Sequence, residues 1–103
     1  MSDLVLSDLT LTAIQAEATR AYLLHGPESM LGATVTDDAR LAILTEEVGE
    51  VARELNELRL AMRRGDGDWH ALYRERKDAL VKELIQVAAM AASWVEFAEG
   101  GTA

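Results

Sequence analysis

Apolar residues recur along most of this chain at alternating spacings of three and four residues, which is the period of an α-helix. Strand-like alternation of apolar and polar residues is nearly absent. The first predicted helix begins at about Ser7, a residue type suited to the N-cap, and runs to Leu24. His25, Gly26 and Pro27 then form a stop signal. The pattern therefore predicts an all-α protein.

The second predicted helix begins at Thr36 or Asp37, either of which can cap it, and ends at Arg64 before a glycine-containing turn. Its first turn is acidic, as the helix dipole favours. Seven apolar positions form the stripe that we predict to face the core: Leu41, Leu44, Val48, Val51, Leu55, Leu58 and Met62.

A third helical segment follows Asp68, its predicted N-cap, and has no Gly or Pro between Trp69 and Glu99. The pattern is compatible with one long helix or with two helices that meet at a bend near Asp78. Six positions form its predicted core stripe: Leu80, Leu84, Val87, Ala91, Val95 and Ala98. Helices of this kind predict a single all-α bundle over residues 1–103.

Charge and composition narrow the classes of function. The net charge of −8 argues against binding to nucleic acid or to an anionic membrane surface, because the term that neutralises phosphate would be missing. Without cysteine, the chain has no disulfide and no thiolate metal site. We see no secretory signal and no apolar run approaching the roughly 20 residues that span a bilayer. A cytoplasmic protein that does not enter the membrane is therefore expected.

An acidic run inside the second helix is the most informative feature for function. Glu46, Glu47 and Glu50 lie within five residues, so that their side chains are neighbours on the helix surface. Like charges at this spacing repel, whereas a divalent cation bound among them would reverse the sign of the interaction. A solvated acidic face, helped by Arg40 and Arg53, is the alternative interpretation.

The third helical segment carries a polar pair in an equivalent position. Glu83 and Gln86 flank their apolar stripe on the same side as Glu47 and Glu50 flank theirs. If the two stripes pack antiparallel, the four side chains meet at the rim of the core. Two such pairs on facing helices are a standard way to build a hard-cation site from oxygen ligands in a helical bundle.

These residues resemble the signature of a known family. The segment LTEEVGEVA at positions 44–52, followed by Glu83 on a later helix, is similar to the E-E-x-x-E and E-x-x-D runs of the MazG-like, all-α nucleoside triphosphate pyrophosphohydrolases. The resemblance covers about Leu41 to Phe97. It implies a MazG-like helical bundle of three to four helices, completed by oligomerisation as a homodimer or homotetramer.

The resemblance also implies an activity: Mg²⁺-dependent hydrolysis of a nucleoside triphosphate to the monophosphate and pyrophosphate, with Mn²⁺ able to replace Mg²⁺. Four side chains would bind the metal, namely Glu47, Glu50, Glu83 and Gln86. Glu46 would either join them or accept a proton from the attacking water. Three bases are candidates for the phosphates because they lie nearby in sequence: Lys82, Arg59 and Arg63.

Gln86 departs from the family pattern, which has Asp at this position. An amide offers a neutral carbonyl oxygen, so the formal charge around the metal falls by one. Two other functions therefore stay open. One is a catalytically weakened family member that binds nucleotide or metal as a sensor, and the other is a helical dimer that serves only as an interaction module. Metal binding and turnover distinguish the three.

Overall fold

The computed structural model describes residues 5–64 and 69–100. Three helices follow one another, with a short 3₁₀ turn (Gly26–Glu28) after the first: α1 (Asp8–His25), α2 (Asp37–Arg64) and α3 (Trp69–Ala98). No strand occurs in these described ranges, so the predicted all-α fold class is confirmed. The third segment is one helix of 30 residues, without a break near Asp78. Of the helices described, none is long and apolar enough to cross a membrane.

The helix ends follow the local chemistry expected from the sequence. Ser7 Oγ caps α1 and Thr36 Oγ1 caps α2, each accepting a hydrogen bond from the main-chain amide three residues later, at 3.2 and 3.1 Å. Gly26 ends α1 with a φ of 52°, a left-handed value that glycine adopts without a steric penalty. Asp68, the predicted cap of α3, lies outside the described residues.

Polar side chains fasten α2 and α3 together as an antiparallel pair. Near the start of α2, Trp94 Nε1 donates a hydrogen bond to Asp37 Oδ1 at 3.1 Å. Three-quarters of the way along α2, Arg76 Nη1 lies 2.8 Å from Glu57 Oε2. Residues further along α2 thus contact residues closer to the N-terminus of α3, so the two helices are antiparallel. α1 packs against α3.

Arg40 joins the loop before α2 to both long helices, and its side chain is only 1 % exposed. Its Nε donates to the Met30 carbonyl at 2.8 Å, and its Nη2 donates to the Gly32 carbonyl at 2.6 Å. Its Nη1 lies 3.1 Å from Asp37 Oδ1, and the guanidinium carbon lies 3.7 Å from the centre of the Phe97 ring. Gly32 lets this loop pack closely against the 3₁₀ turn, since a Cβ there would collide with the main chain of Pro27.

The prediction that the whole α2 stripe faces the core of the chain is wrong. Four of its residues, spaced seven apart, are between 41 and 55 % exposed: Leu41, Val48, Leu55 and Met62. On α3, Leu84 and Val95 are exposed as well. The reason is the rotation of α2 about its own axis. The polar side chains that bond to α3 face that helix, and the adjacent apolar edge of α2 is left uncovered.

A single chain of this shape leaves much of its surface exposed. Its accessible area is 7495 Å², whereas a compact monomer of this mass exposes about 5,700 Å². Its radius of gyration is 16.3 Å, against about 13 Å for a compact domain of 100 residues. In the described part of the chain, Met30 and Ala89 are the hydrophobic residues that are buried. The core of one chain alone is therefore thin.

Candidate functional site

Three of the predicted site residues meet where α2 faces α3. The Gln86 amide nitrogen donates hydrogen bonds to Glu47 Oε2 at 3.0 Å and to Glu83 Oε2 at 2.9 Å. The orientation of the amide follows from these partners, because its nitrogen then faces carboxylate oxygens. All three side chains are half-buried. The structure thus places Glu47 of one predicted polar pair beside both members of the other, Glu83 and Gln86.

The first helix supplies a further carboxylate, Glu17, that the sequence analysis did not identify. Burial raises the pKa of Glu47 above its usual range, and four negative charges add to the effect, in decreasing order: Glu83, Glu50, Glu46 and Glu17. Helices α1, α2 and α3 therefore all contribute to one group of carboxylates. We call these five residues, Glu17, Glu46, Glu47, Glu50 and Glu83, the acidic cluster.

Arginine side chains offset part of this charge at the edges of the acidic cluster. Arg20 Nη2 lies 2.6 Å from Glu17 Oε2, and its hydrogen bonds lower the pKa of that carboxyl despite the opposing effect of burial. Arg53 forms an ion pair with Glu50, three residues before it on α2. Glu47 differs from both, because burial and four neighbouring negative charges act against its charged form and no arginine is paired with it among the ion pairs described above.

The bases predicted to bind phosphates lie at different distances from the acidic cluster. Lys82 is exposed and lies close enough to Glu17 for its charge to lower the pKa of that carboxyl. Arg59 and Arg63 are also exposed, but they lie about 13 and 20 Å beyond Glu50 along α2, at about 1.5 Å per residue. Of these three predicted bases, Lys82 is the one whose charge acts on a carboxyl of the acidic cluster.

A cavity of about 340 Å³ adjoins the acidic cluster. Glu17, Glu46 and Gln86 form the side that it shares with the cluster. Its apolar wall includes Met30, Leu31, Ile43, Ala89 and Met90, while Tyr22, His25 and Ser93 add polar atoms. Its volume falls within the range of small-molecule sites, about 300–1,000 Å³. Because the lining comes from all three helices and a loop, no local sequence pattern indicated it.

The chemistry of the acidic cluster suits a hard divalent cation, since carboxylate and amide oxygens are the ligands that Mg²⁺ takes. Within residues 5–64 and 69–100, no three carboxylate or imidazole groups are gathered closely enough to hold a metal ion. The oxygens point to other partners: Glu47 and Glu83 accept from Gln86, and Glu50 is paired with Arg53.

Known proteins provide no closer assignment. No family model, no curated protein and no solved structure matches this chain. The fold and the site define an all-helical protein in which carboxylates from three helices border a cavity.

The raised pKa of Glu47 makes the stability of the metal-free protein depend on pH. Because the folded state binds this proton more tightly than the unfolded state, the contribution of Glu47 is most favourable below about pH 4.5 and is lost as pH rises above it. Each like-charge pair costs a few tenths of a kcal/mol, and 1 kcal/mol moves the melting temperature of such a domain by about 4–8 °C. In EDTA at pH 7.5, Glu47→Gln should therefore melt about 2–4 °C above the unaltered protein.

Calorimetric melts from pH 4 to pH 8 test this expectation. The advantage of Glu47→Gln should shrink toward pH 4, where Glu47 itself takes up a proton. Glu17→Gln is the matched control of opposite sign, because the pKa of Glu17 is lowered and its contribution is lost as pH falls. A Glu47→Gln variant that is less stable at pH 7.5 would show that the carboxylates do not strain the fold.

Proposed function

We propose that this protein is a cytoplasmic, Mg²⁺-dependent pyrophosphohydrolase of the MazG-like type, which cleaves a nucleoside triphosphate into the monophosphate and pyrophosphate. The observation that supports it best is the convergence of carboxylates from three helices beside a cavity, where burial and then the crowding of like charges raise the pKa of Glu47. Such crowding disfavours the charged form in the protein alone, and a divalent cation relieves it. The acidic run at positions 46–50 supports the same assignment.

Each residue of the acidic cluster has a role in this proposal. Glu47, Glu50 and Glu83 bind the cation, and Gln86 offers an amide oxygen. When bound, Mg²⁺ neutralises charge on the phosphates and acidifies the attacking water. Glu46 accepts the proton from that water, a role favoured by its place on the wall of the cavity. Among the bases, Lys82 is the first candidate for the phosphates, ahead of Arg59 and Arg63.

The cavity receives the nucleoside in this proposal. Apolar side chains such as Met30, Ile43 and Met90 offer contact area to a base, and polar atoms of Tyr22 and Ser93 offer hydrogen bonds that fix its orientation. A nucleoside bound here would direct its phosphates toward the carboxylates that border the same space.

A catalytically weakened protein that binds nucleotide or metal as a sensor is the second candidate. Gln86 favours it, because its amide occupies oxygens of two carboxylates that would otherwise bind a cation.

Turnover of a panel of ribo- and deoxyribonucleoside triphosphates with Mg²⁺ or Mn²⁺ tests the proposed reaction. Pyrophosphate and orthophosphate are measured separately, and we expect pyrophosphate in equal amount to the monophosphate. Stabilisation by metal or nucleotide without turnover would favour the sensor. If the protein neither binds metal or nucleotide nor shows turnover, the helical interaction module is the remaining candidate.

We further propose that the protein works as a homodimer or homotetramer in which a second copy covers the exposed stripe of α2. Apolar patches of this kind are typical of interfaces, and the accessible area of the single chain exceeds that of a compact monomer. Light scattering at micromolar concentration should give two or four times the chain mass of 11.3 kDa.

A charge in the middle of that stripe tests which face is covered. Leu55→Asp should shift the assembly toward the monomer, whereas Leu9→Asp, which places the same charge at an exposed leucine of α1, should not. A monomeric mass for the unaltered protein would exclude the assembly, and equal behaviour of the two variants would exclude this face.

A further inference from the structure

Gln86 is a neutral side chain in the middle of the acidic cluster. Its amide nitrogen donates to two different helices, to Glu47 on α2 at 3.0 Å and to Glu83 one turn earlier on α3 at 2.9 Å. Both carboxylates are half-buried, and each repels the other. The amide therefore stands between two negative charges that no longer have full access to water.

An amide and a carboxylate differ at this position in what they can donate. The glutamine NH₂ group carries two donors, whereas an ionised carboxylate carries none. Hydrogen bonds to an ionised acceptor are roughly twice as strong as those between neutral groups. A carboxylate at position 86 would add a third charge and remove both bonds. The uncharged side chain of Gln86 thus joins Glu47 to Glu83, as a bound cation would.

We propose that Gln86 holds Glu47 and Glu83 together in the metal-free protein, and that its amide turns to present Oε1 when a divalent cation binds. The first step concerns the protein alone, and the second rests on the proposed function. The terminal torsion of glutamine has a broad, roughly two-fold preference, so a half-turn exchanges Nε2 and Oε1 with little other movement. To bind, the cation must displace these two hydrogen bonds, which lowers its affinity. The same two bonds stabilise the fold when no cation is bound.

Thermal melts in EDTA test the first step. Gln86→Glu keeps the length of the side chain but removes both donors and adds a charge, and we expect its melting temperature to fall by about 5 °C or more. Gln15→Glu makes the same chemical change on α1, where the amide donates to the exposed Thr19 hydroxyl at 3.3 Å, and should fall by less than about 2 °C.

Exchanging the two residues gives an internal control. The double variant Glu47→Gln with Gln86→Glu returns an amide donor to the bridge and restores the original number of charges. It should recover at least half of the loss seen in Gln86→Glu. If Gln86→Glu loses no stability, or if the exchange recovers none of the loss, Gln86 does not bridge the two carboxylates.

Nuclear magnetic resonance of the side-chain amides tests the second step. The chain has three primary amides, Gln15, Asn56 and Gln86, so the pair of signals missing from Gln86→Glu identifies Gln86. In EDTA this pair should exchange with solvent about tenfold more slowly than the other two, as a bond to a charged acceptor would require. Added Mg²⁺ should shift the Gln86 pair and speed its exchange, while leaving the signals of Gln15 and Asn56 in place.

The two readouts separate the failure of this inference from the failure of the proposed function. Loss and recovery of stability in EDTA, without any response to Mg²⁺ or Mn²⁺, would retain the bridge and exclude the metal. A metal response in a protein whose Gln86 amide exchanges as freely as Gln15 would exclude the bridge and leave the proposed function intact. A metal response with the Gln86 pair still protected would exclude the turn of the amide.

Discussion

An Arg40→Met variant should lose about 3–5 kcal/mol of unfolding free energy, a large share of the roughly 5–15 kcal/mol that stabilises a typical domain. Methionine fills similar space but leaves the carbonyl oxygens of Met30 and Gly32 buried without their donors. The contact with the Phe97 ring is lost as well. Urea unfolding followed by circular dichroism measures the change.

Arg20→Met is the matched control for Arg40→Met. Both arginines pair with an acid three residues earlier, but Arg20 lies on the surface of α1. Its substitution should leave the urea midpoint nearly unchanged, since exposed ion pairs contribute little. Arg40→Lys keeps the charge but lacks the fork that reaches two carbonyls, so it should lose most of the same stability. Equal midpoints for Arg40→Met and Arg20→Met would show that the buried guanidinium does not stabilise the fold.

A Glu50→Gln variant should reduce pyrophosphate release by about 100-fold or more, since even partners of metal ligands cost 10–100-fold when changed. It should also abolish most of the rise in melting temperature that Mg²⁺ or Mn²⁺ gives to the unaltered protein. The reason is the same for both: a ligand of the proposed cation is replaced by a neutral group of the same shape. Coupled pyrophosphate assays and thermal melts with titrated metal measure the two effects.

Glu57→Gln controls for the loss of a charge on the same face of the same helix. Glu57 lies seven residues after Glu50 and is likewise paired with an arginine, Arg76, but it stands outside the acidic cluster. We expect its turnover and its metal response to match those of the unaltered protein. If Glu50→Gln matches them too, the acidic cluster is not a metal site.

The ends of the helices could be predicted from the sequence because local chemistry decides them. Ser7 and Thr36 offer side-chain oxygens to the free amides of a first turn, and Gly26 adopts the positive φ at which α1 ends. The juxtaposition of Glu47 with Glu83 and Gln86 followed from the helical repeat and an antiparallel pairing. These are properties of single helices and of one short connection.

Contacts between distant segments were not predictable in this way. Periodicity marks the apolar edge of α2, but it does not say whether that edge meets the same chain or another, and Leu41 and Val48 are exposed. Glu17 joins the acidic cluster through the packing of α1, almost 30 residues away in sequence from Glu46. Arg40 did leave a signal, because a cation near the start of a helix opposes the helix dipole and needs another reason to be there.

The hydrogen bonds from Arg40 to the loop before α2 determine which substitutions the wall of the cavity can accept. It holds main-chain oxygens of Met30 and Gly32, so it does not depend on which side chain stands at position 30 or 31. Met30 and Leu31 line the cavity, yet the loop that carries them is anchored independently of them. Framework and lining are therefore separable at Leu31, which is less buried than Met30: substitutions there can alter the shape and polarity of the cavity while the loop stays anchored, which leaves ligand preference free to diverge.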